Sequence, residues 1–72
     1  MDIRRKTALI IRKDREYLVG RDELFGGLIW NSSPWAAWST RIRANAKSIQ
    51  QKVGGEIMLW NPVAGQIRRA EI

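Results

Sequence analysis

Two side chains that carry much of protein chemistry are missing from this 72-residue chain, which has no cysteine and no histidine. Without them the chain cannot form a disulfide, a zinc site with the usual nitrogen and sulfur ligands, a thiol nucleophile or a histidine base. The remaining residues do not bring a nucleophile, a base and an orienting group together either. We therefore expect a protein that is not an enzyme and that uses no metal and no cofactor.

Long apolar segments are also lacking. No apolar run approaches the roughly 18 residues of a membrane-spanning helix, and the stretch after the basic start MDIRRK is too short for a signal peptide. The sequence thus predicts a cytoplasmic protein without a membrane partner. A chain of this length builds one small core, so we expect a single domain over residues 1–72, with residues 1–5 as a mobile basic arm.

Acidic residues are few, because seven Asp and Glu stand against thirteen Lys and Arg, for a formal charge of +6. Residues 24–55 contain no acidic residue at all, yet they include Arg41, Arg43, Lys47 and Lys52. Such a surface suits phosphate groups, because Lys and Arg displace the counterions that phosphates condense. The alternative is an ordinary solvated helix face, with Lys47 and Lys52 toward the negative end of the helix dipole.

Short β-branched and apolar runs, separated by polar or glycine-rich turns, predict a small antiparallel sheet. After the second strand, Gly26 and Gly27 provide a turn, and the segment 61–65 provides another. The order is βββαβ with a further short strand, an α+β fold in which one amphipathic helix packs on one face. The predicted strands are residues 7–11, 17–21, 28–30, 56–60 and the short edge strand 66–68.

One continuous helix is predicted from Ser33 and Pro34 to Gly54. Ser33 suits the N-cap, Pro34 suits the first turn, and the glycine pair Gly54 and Gly55 suits a helix end. Apolar residues recur at steps of three and four along this segment, which places them on one buried stripe. The stripe consists of Trp35, Trp38, Ile42, Ala46, Ile49 and Val53.

A single helix can cover only one face of the predicted sheet, so the other face needs another cover. Its strands are apolar at consecutive positions, as in ALII, LIW and IMLW, so both faces need to be buried. The cover could be the tail from Pro62 to Ile72, a partner protein or a second copy of the chain. Because small domains often gain stability by associating, we expect a homo-oligomer.

Four tryptophans are the other unusual feature. Trp30 and Trp60 end two predicted strands and Trp35 lies in the first helical turn, so these three could meet at one end of the sheet. An indole cluster near free helix amides would stack a nucleic-acid base and hold a phosphate. The alternative is that the tryptophans fill a small core, because aromatic residues at helical spacing usually serve packing.

Parts of the chain resemble known proteins. The segment ALIIRKDREYLVGR is similar to the opening hairpin of Nudix hydrolases, but their glutamate-rich metal-binding helix has no counterpart here. EYLVGRDELFGGLIW, SPWAAWSTR and GGEIMLWNPVAGQI resemble parts of a group of small uncharacterised proteins carried by bacteriophages and mobile elements of Gram-positive gut bacteria. That resemblance implies a compact α+β fold, a bacterial host cytoplasm and action by binding.

These features together predict a small non-catalytic binding protein. Its expected ligand is anionic, a nucleic acid or a nucleotide, held by the basic helix face with a contribution from tryptophan. The alternative is a protein-interaction module or an inhibitor of a host protein, which would bind through the apolar sheet face.

Overall fold

A computed structural model describes residues 7–24 and 26–70 of the chain. It confirms the predicted α+β class, with an antiparallel five-stranded sheet and an α-helix packed against it. The predicted basic arm, residues 1–5, lies outside the described residues. In chain order the elements are β1 (Ala8–Lys13), β2 (Glu16–Arg21), β3 (Leu28–Asn31), a 3-10 helix (Pro34–Ala36), α1 (Arg43–Val53), β4 (Glu56–Asn61) and β5 (Gln66–Arg69).

The strands form a Greek key around a central first strand. Their order across the sheet is β3-β2-β1-β4-β5, and all neighbouring strands are antiparallel. Three strands linked in sequence, with a fourth that returns beside the first, define this arrangement. The long connection from β3 to β4 carries the 3-10 helix and α1. No helix within the described ranges is long and apolar enough to cross a membrane.

β1 and β2 are joined by a two-residue hairpin turn at Asp14 and Arg15. Both residues have positive φ, 52° and 69°, the signature of a type I′ turn, whose twist matches that of the flanking strands. Only the turn end of this hairpin is paired, through Arg12 with Tyr17 and Lys13 with Glu16. On its other side β2 pairs with β3, and the register of that pairing shifts between Leu18 and Gly20, as at a β-bulge.

The segment Trp38 to Thr40 lies where β2 leaves the side of β1. Leu9 and Thr40 exchange two backbone hydrogen bonds, 2.7 and 3.0 Å, and the amide of Trp38 donates to the carbonyl of Leu18 at 2.8 Å. This short extended segment thus satisfies backbone groups on both strands, which would otherwise be costly to bury.

The continuous helix predicted from Ser33 to Gly54 is wrong for its first half. Only Pro34–Ala36 is helical there, as a 3-10 turn, and α1 begins at Arg43 after an extended passage over residues 37–42. The sheet accounts for the difference, because Trp38 and Thr40 use their backbone groups for pairing with Leu18 and Leu9. Tertiary pairing has overridden a helical spacing of apolar residues, as it often does.

Both faces of β1 and of the first half of β2 are buried within the single chain. On one face Ile10, Tyr17, Met58 and Trp60 form the core, with Ala37 and Ile67 packed against them. Strand alternation puts Leu9, Ile11 and Leu18 on the other face, and all three are buried, as is Ala46 of α1. The interrupted helix explains this outcome, because residues before α1 cover one face while α1 covers the other. Burial of both faces of β1 therefore does not require a second copy.

α1 ends at the predicted glycine pair. The amide of Gly54 donates to the carbonyl of Gln50 at 2.8 Å, and the ammonium group of Lys13 donates to the carbonyl of Val53 at 3.3 Å. Gly55 has a φ of +84°, and a Cβ there would lie 2.5 Å from the carbonyl oxygen of Arg12. Its lack of a side chain therefore permits a close backbone approach between the start of β4 and β1.

We expect Gly55→Ala to lower the free energy of unfolding by about 3 kcal/mol, from positive-φ strain together with a backbone clash. Gly65→Ala is the matched control, because Gly65 also has positive φ, +67°, but no atom lies within 4 Å of a Cβ built there. Strain alone should cost this control about 1 kcal/mol. Urea unfolding of both variants measures the difference, and equal losses would show that the clash near Arg12 does not matter.

Candidate binding site

Trp35 and Trp60 form a pair at the end of the sheet next to the 3-10 helix. The Ser33 hydroxyl accepts a hydrogen bond from the Trp35 amide at 3.3 Å, and Pro34 fills the first turn, as the sequence indicates. The two indole rings are 5.1 Å apart at 89°, an edge-to-face contact. Trp60 is 6% exposed and belongs to the core, whereas Trp35 is 67% exposed. A solvent-facing indole is thus anchored on a buried one.

An open cavity of about 450 Å³ adjoins this pair. We call it the tryptophan cavity, lined by Trp35, Ser39, Thr40, Arg41, Trp60 and Pro62. The extended passage that replaces the predicted helix contributes Ser39, Thr40 and Arg41 to it. The Thr40 hydroxyl accepts a hydrogen bond from the Ile42 amide at 3.1 Å and so fixes the backbone just before α1. The cavity therefore combines an aromatic surface, hydroxyl groups and a guanidinium group.

Trp30 does not join the other two predicted stacking residues. It pairs with Leu18, while Tyr17 pairs with Asn31, so Trp30 lies on the face opposite Tyr17 and Trp60. Trp30 is half-buried. Trp30 therefore lies on the face of the sheet away from the cavity. The sequence alone could not predict this, because it does not fix the register of β3 against β2.

The four predicted cationic residues are all exposed but are not all together. Arg41 lines the tryptophan cavity, and Arg43 and Lys47 lie one turn apart on the same side of α1. Lys52 lies about 140° round the helix axis from Lys47, since each residue turns by about 100°. Arg43 and Lys47 thus share one side of α1, Arg41 lies just before the helix at the tryptophan cavity, and Lys52 points elsewhere.

A second open cavity of about 520 Å³ lies beside the C-terminal half of α1. We call it the Lys47 groove, lined by Lys47, Gln50, Gln51, Glu56 and Arg69. Arg69 and Glu56 form an ion pair at 3.3 Å with both side chains well exposed. Arg69 was not among the predicted site residues, because only the register of β5 beside β4 brings it to this groove.

The polar groups of both cavities are cations, amides and hydroxyls, with one paired carboxylate. Within residues 7–24 and 26–70 no three carboxylate side chains cluster closely enough to hold a metal ion. No protein-family model matches the chain, and comparison with curated proteins and with solved structures finds no significant match.

Truncating each tryptophan of the edge-to-face pair should show which of the two stabilises the core. We expect Trp60→Ala to lower the free energy of unfolding by about 4 kcal/mol, the usual result of emptying a core position. Trp35→Ala should cost only about 1 kcal/mol, the value of an aromatic pair contact. Thermal and urea unfolding test this, and similar losses at the two positions would contradict a solvent-facing role for Trp35.

Proposed function

We propose that the protein binds a ligand that carries both a planar base and a phosphate, a nucleotide or a nucleic acid, and does not transform it. The observation that carries this proposal is the exposed Trp35 ring, fixed on buried Trp60 in a cavity that Arg41 also lines. In keeping with the resemblance to phage and mobile-element proteins, we place this activity in the cytoplasm of a bacterial host.

Stacking is the contact that an exposed, supported indole makes best. Each nucleic-acid base has a π face, and a base stacked on an aromatic side chain is worth about 1–3 kcal/mol. The edge-to-face contact with Trp60 restricts the Trp35 ring before any ligand arrives, so less freedom is lost on binding. Arg41 supplies a partner for a phosphate in the same cavity.

The surrounding charge favours the same ligand. Arg43 and Lys47 follow Arg41 on the exposed side of α1, and residues 26–55 contain no carboxylate side chain. The first turn of α1 has no acidic residue, and no described side chain caps it, so the helix dipole adds positive potential there. Together these features attract anions and speed their encounter with the cavity.

We expect Trp35→Ala to weaken binding of a short labelled DNA strand about tenfold at about 50 mM salt, through loss of stacking. The affinity of the unaltered protein should fall as salt rises, with a logarithmic slope of about 0.7–0.9 for each phosphate contact. Leu24→Ala is the control, since Leu24 is 87% exposed and does not line the cavity. Fluorescence anisotropy measures both effects. Absence of binding to DNA, RNA and nucleotides at low salt would reject the proposal.

A protein-interaction module is the second candidate, and one observation favours it. Leu24, Leu28 and Ile29 are 87%, 43% and 42% exposed, and the last two lie on β3, at one end of the sheet order. This apolar edge differs from the sheet face expected to bind a partner, because β3 is exposed whereas both faces of β1 are buried. A protein recovered with the chain in stoichiometric amount after nuclease treatment, and lost in Ile29→Ser, would support this candidate.

Self-association remains a prediction, and the exposed apolar edge at β3 is the surface through which we expect it. Light scattering measures it. The formal charge of +6 repels identical chains, so association should strengthen from low to moderate salt, opposite to phosphate binding. Leu28→Ser should weaken it by removing apolar contact. A monomer at high protein concentration throughout the salt series would exclude a homo-oligomer under those conditions.

A further inference from the structure

We infer that the ligand of the tryptophan cavity is an extended single strand of nucleic acid that continues along α1 into the Lys47 groove. This inference rests on the proposed function and specifies its ligand. Two separate cavities and the cations between them carry it, since a mononucleotide would need only the first cavity.

The cavities lie on consecutive parts of the chain. Arg41 lines the tryptophan cavity, α1 begins two residues later, and Lys47, Gln50 and Gln51 line the groove. From Arg43 to Gln51 the helix axis advances by about 12 Å. In an extended single strand successive phosphates are farther apart than the roughly 3.4 Å rise along one strand of a duplex, so this path spans a few nucleotides at most.

The exposed side of α1 supplies contacts along that path. Arg43, Lys47 and Gln51 recur every four residues, which keeps them on one side of the helix. Lys and Arg bind phosphate oxygens, and glutamine side chains add hydrogen bonds to phosphate or sugar. The path is therefore cationic and polar, with an aromatic surface at its start.

Stacking on Trp35 selects a single strand over a duplex. A base inside a duplex is stacked between its neighbours and cannot lie against the indole unless it is unpaired first. An unpaired strand presents its bases without that cost. Single-strand sites commonly combine a cationic track for the backbone with aromatic side chains for the bases.

The ion pair in the groove leads to an expected gain of affinity, and not a loss, when one of its residues is changed. Glu56 neutralises Arg69 at 3.3 Å and repels a phosphate that enters the groove. Exposed ion pairs are worth only about 0–1 kcal/mol, so the fold does not depend on this one. Removal of the Glu56 carboxylate should then strengthen binding of a strand long enough to reach it.

The test is a series of single strands, DNA and RNA, from one to about eight nucleotides, with a duplex of the longest, measured by anisotropy competition. We expect affinity to rise with length until the strand reaches the groove, and the duplex to bind more weakly. Lys47→Gln should lower the salt slope for the longest strand by about 0.7 and leave the mononucleotide unaffected. Glu56→Gln should raise affinity for the longest strand by up to about fivefold.

Two controls carry the same changes in net charge at exposed residues that line neither cavity. Arg21→Gln matches Lys47→Gln, and Glu23→Gln matches Glu56→Gln, both at the end of β2 that pairs with β3. If the controls have the same effects as the test variants, general charge explains them and the groove is not used.

The outcomes separate this inference from the proposed function. Affinity independent of length, with loss only in Trp35→Ala, would overturn the extended path and leave a nucleotide site. Equal binding of the duplex would overturn single-strand selection. If Trp35→Ala binds every probe as the unaltered protein does, or nothing binds, the proposed function fails with it. A preference for RNA over DNA, or the reverse, would identify which polymer the path accepts.

Discussion

The reciprocal hydrogen bonds between Leu9 and Thr40 are the contact on which the rest of the architecture depends. They hold residues of the β3–β4 connection beside β1, where β2 no longer pairs with β1 beyond Tyr17. The same pairing interrupts the helix that the apolar spacing favours, so that the chain before Thr40 covers one face of the sheet and α1 the other. The central strand β1 is then buried on both faces within one chain.

The candidate site is a product of the same interruption. Had the helix run unbroken from Pro34, the segment from Ser39 to Arg41 would have formed helical turns. Instead it is non-helical and lines a cavity with Trp35 and Trp60. Trp60 belongs to the core and Trp35 contacts it edge to face, so the exposed ring has a rigid support. Trp60 therefore serves the core and also supports Trp35, which stays exposed to solvent.

The elements with strong local signals could be predicted from the sequence. Glycine and asparagine turns bounded the strands, Ser33 and Pro34 marked a helical turn, and the pair Gly54 and Gly55 ended α1. The break in the helix could not be predicted, because its cause is a backbone pairing with a strand far away in the chain. The predicted buried stripe is wrong for Trp35 and Ile42, which are 67% and 59% exposed, whereas Ala46 is buried.

The site was only partly predictable for a similar reason. Composition identified the acid-free segment and the tryptophans, and spacing along α1 placed Arg43 and Lys47 together. The separation of Trp30 from Trp60 and the arrival of Arg69 beside Glu56 depend on strand register, which local sequence does not specify. Charge and residue type thus indicate candidate side chains for an anion site, and topology determines which of them lie together.

The central position of β1 also bears on how the molecule is made. During synthesis β1 emerges first, yet its partner β4 and the residues that fill the gap beside Leu9 are translated much later. Pairings between distant parts of a chain form slowly, because loop closure precedes any gain from contact. The β1–β2 hairpin can form early, but it pairs only near its turn. The apolar residues Leu9 to Ile11 therefore stay exposed on the nascent chain. Until β4 and the segment around Thr40 have been made, this apolar surface is prone to aggregate, as transiently exposed strands are.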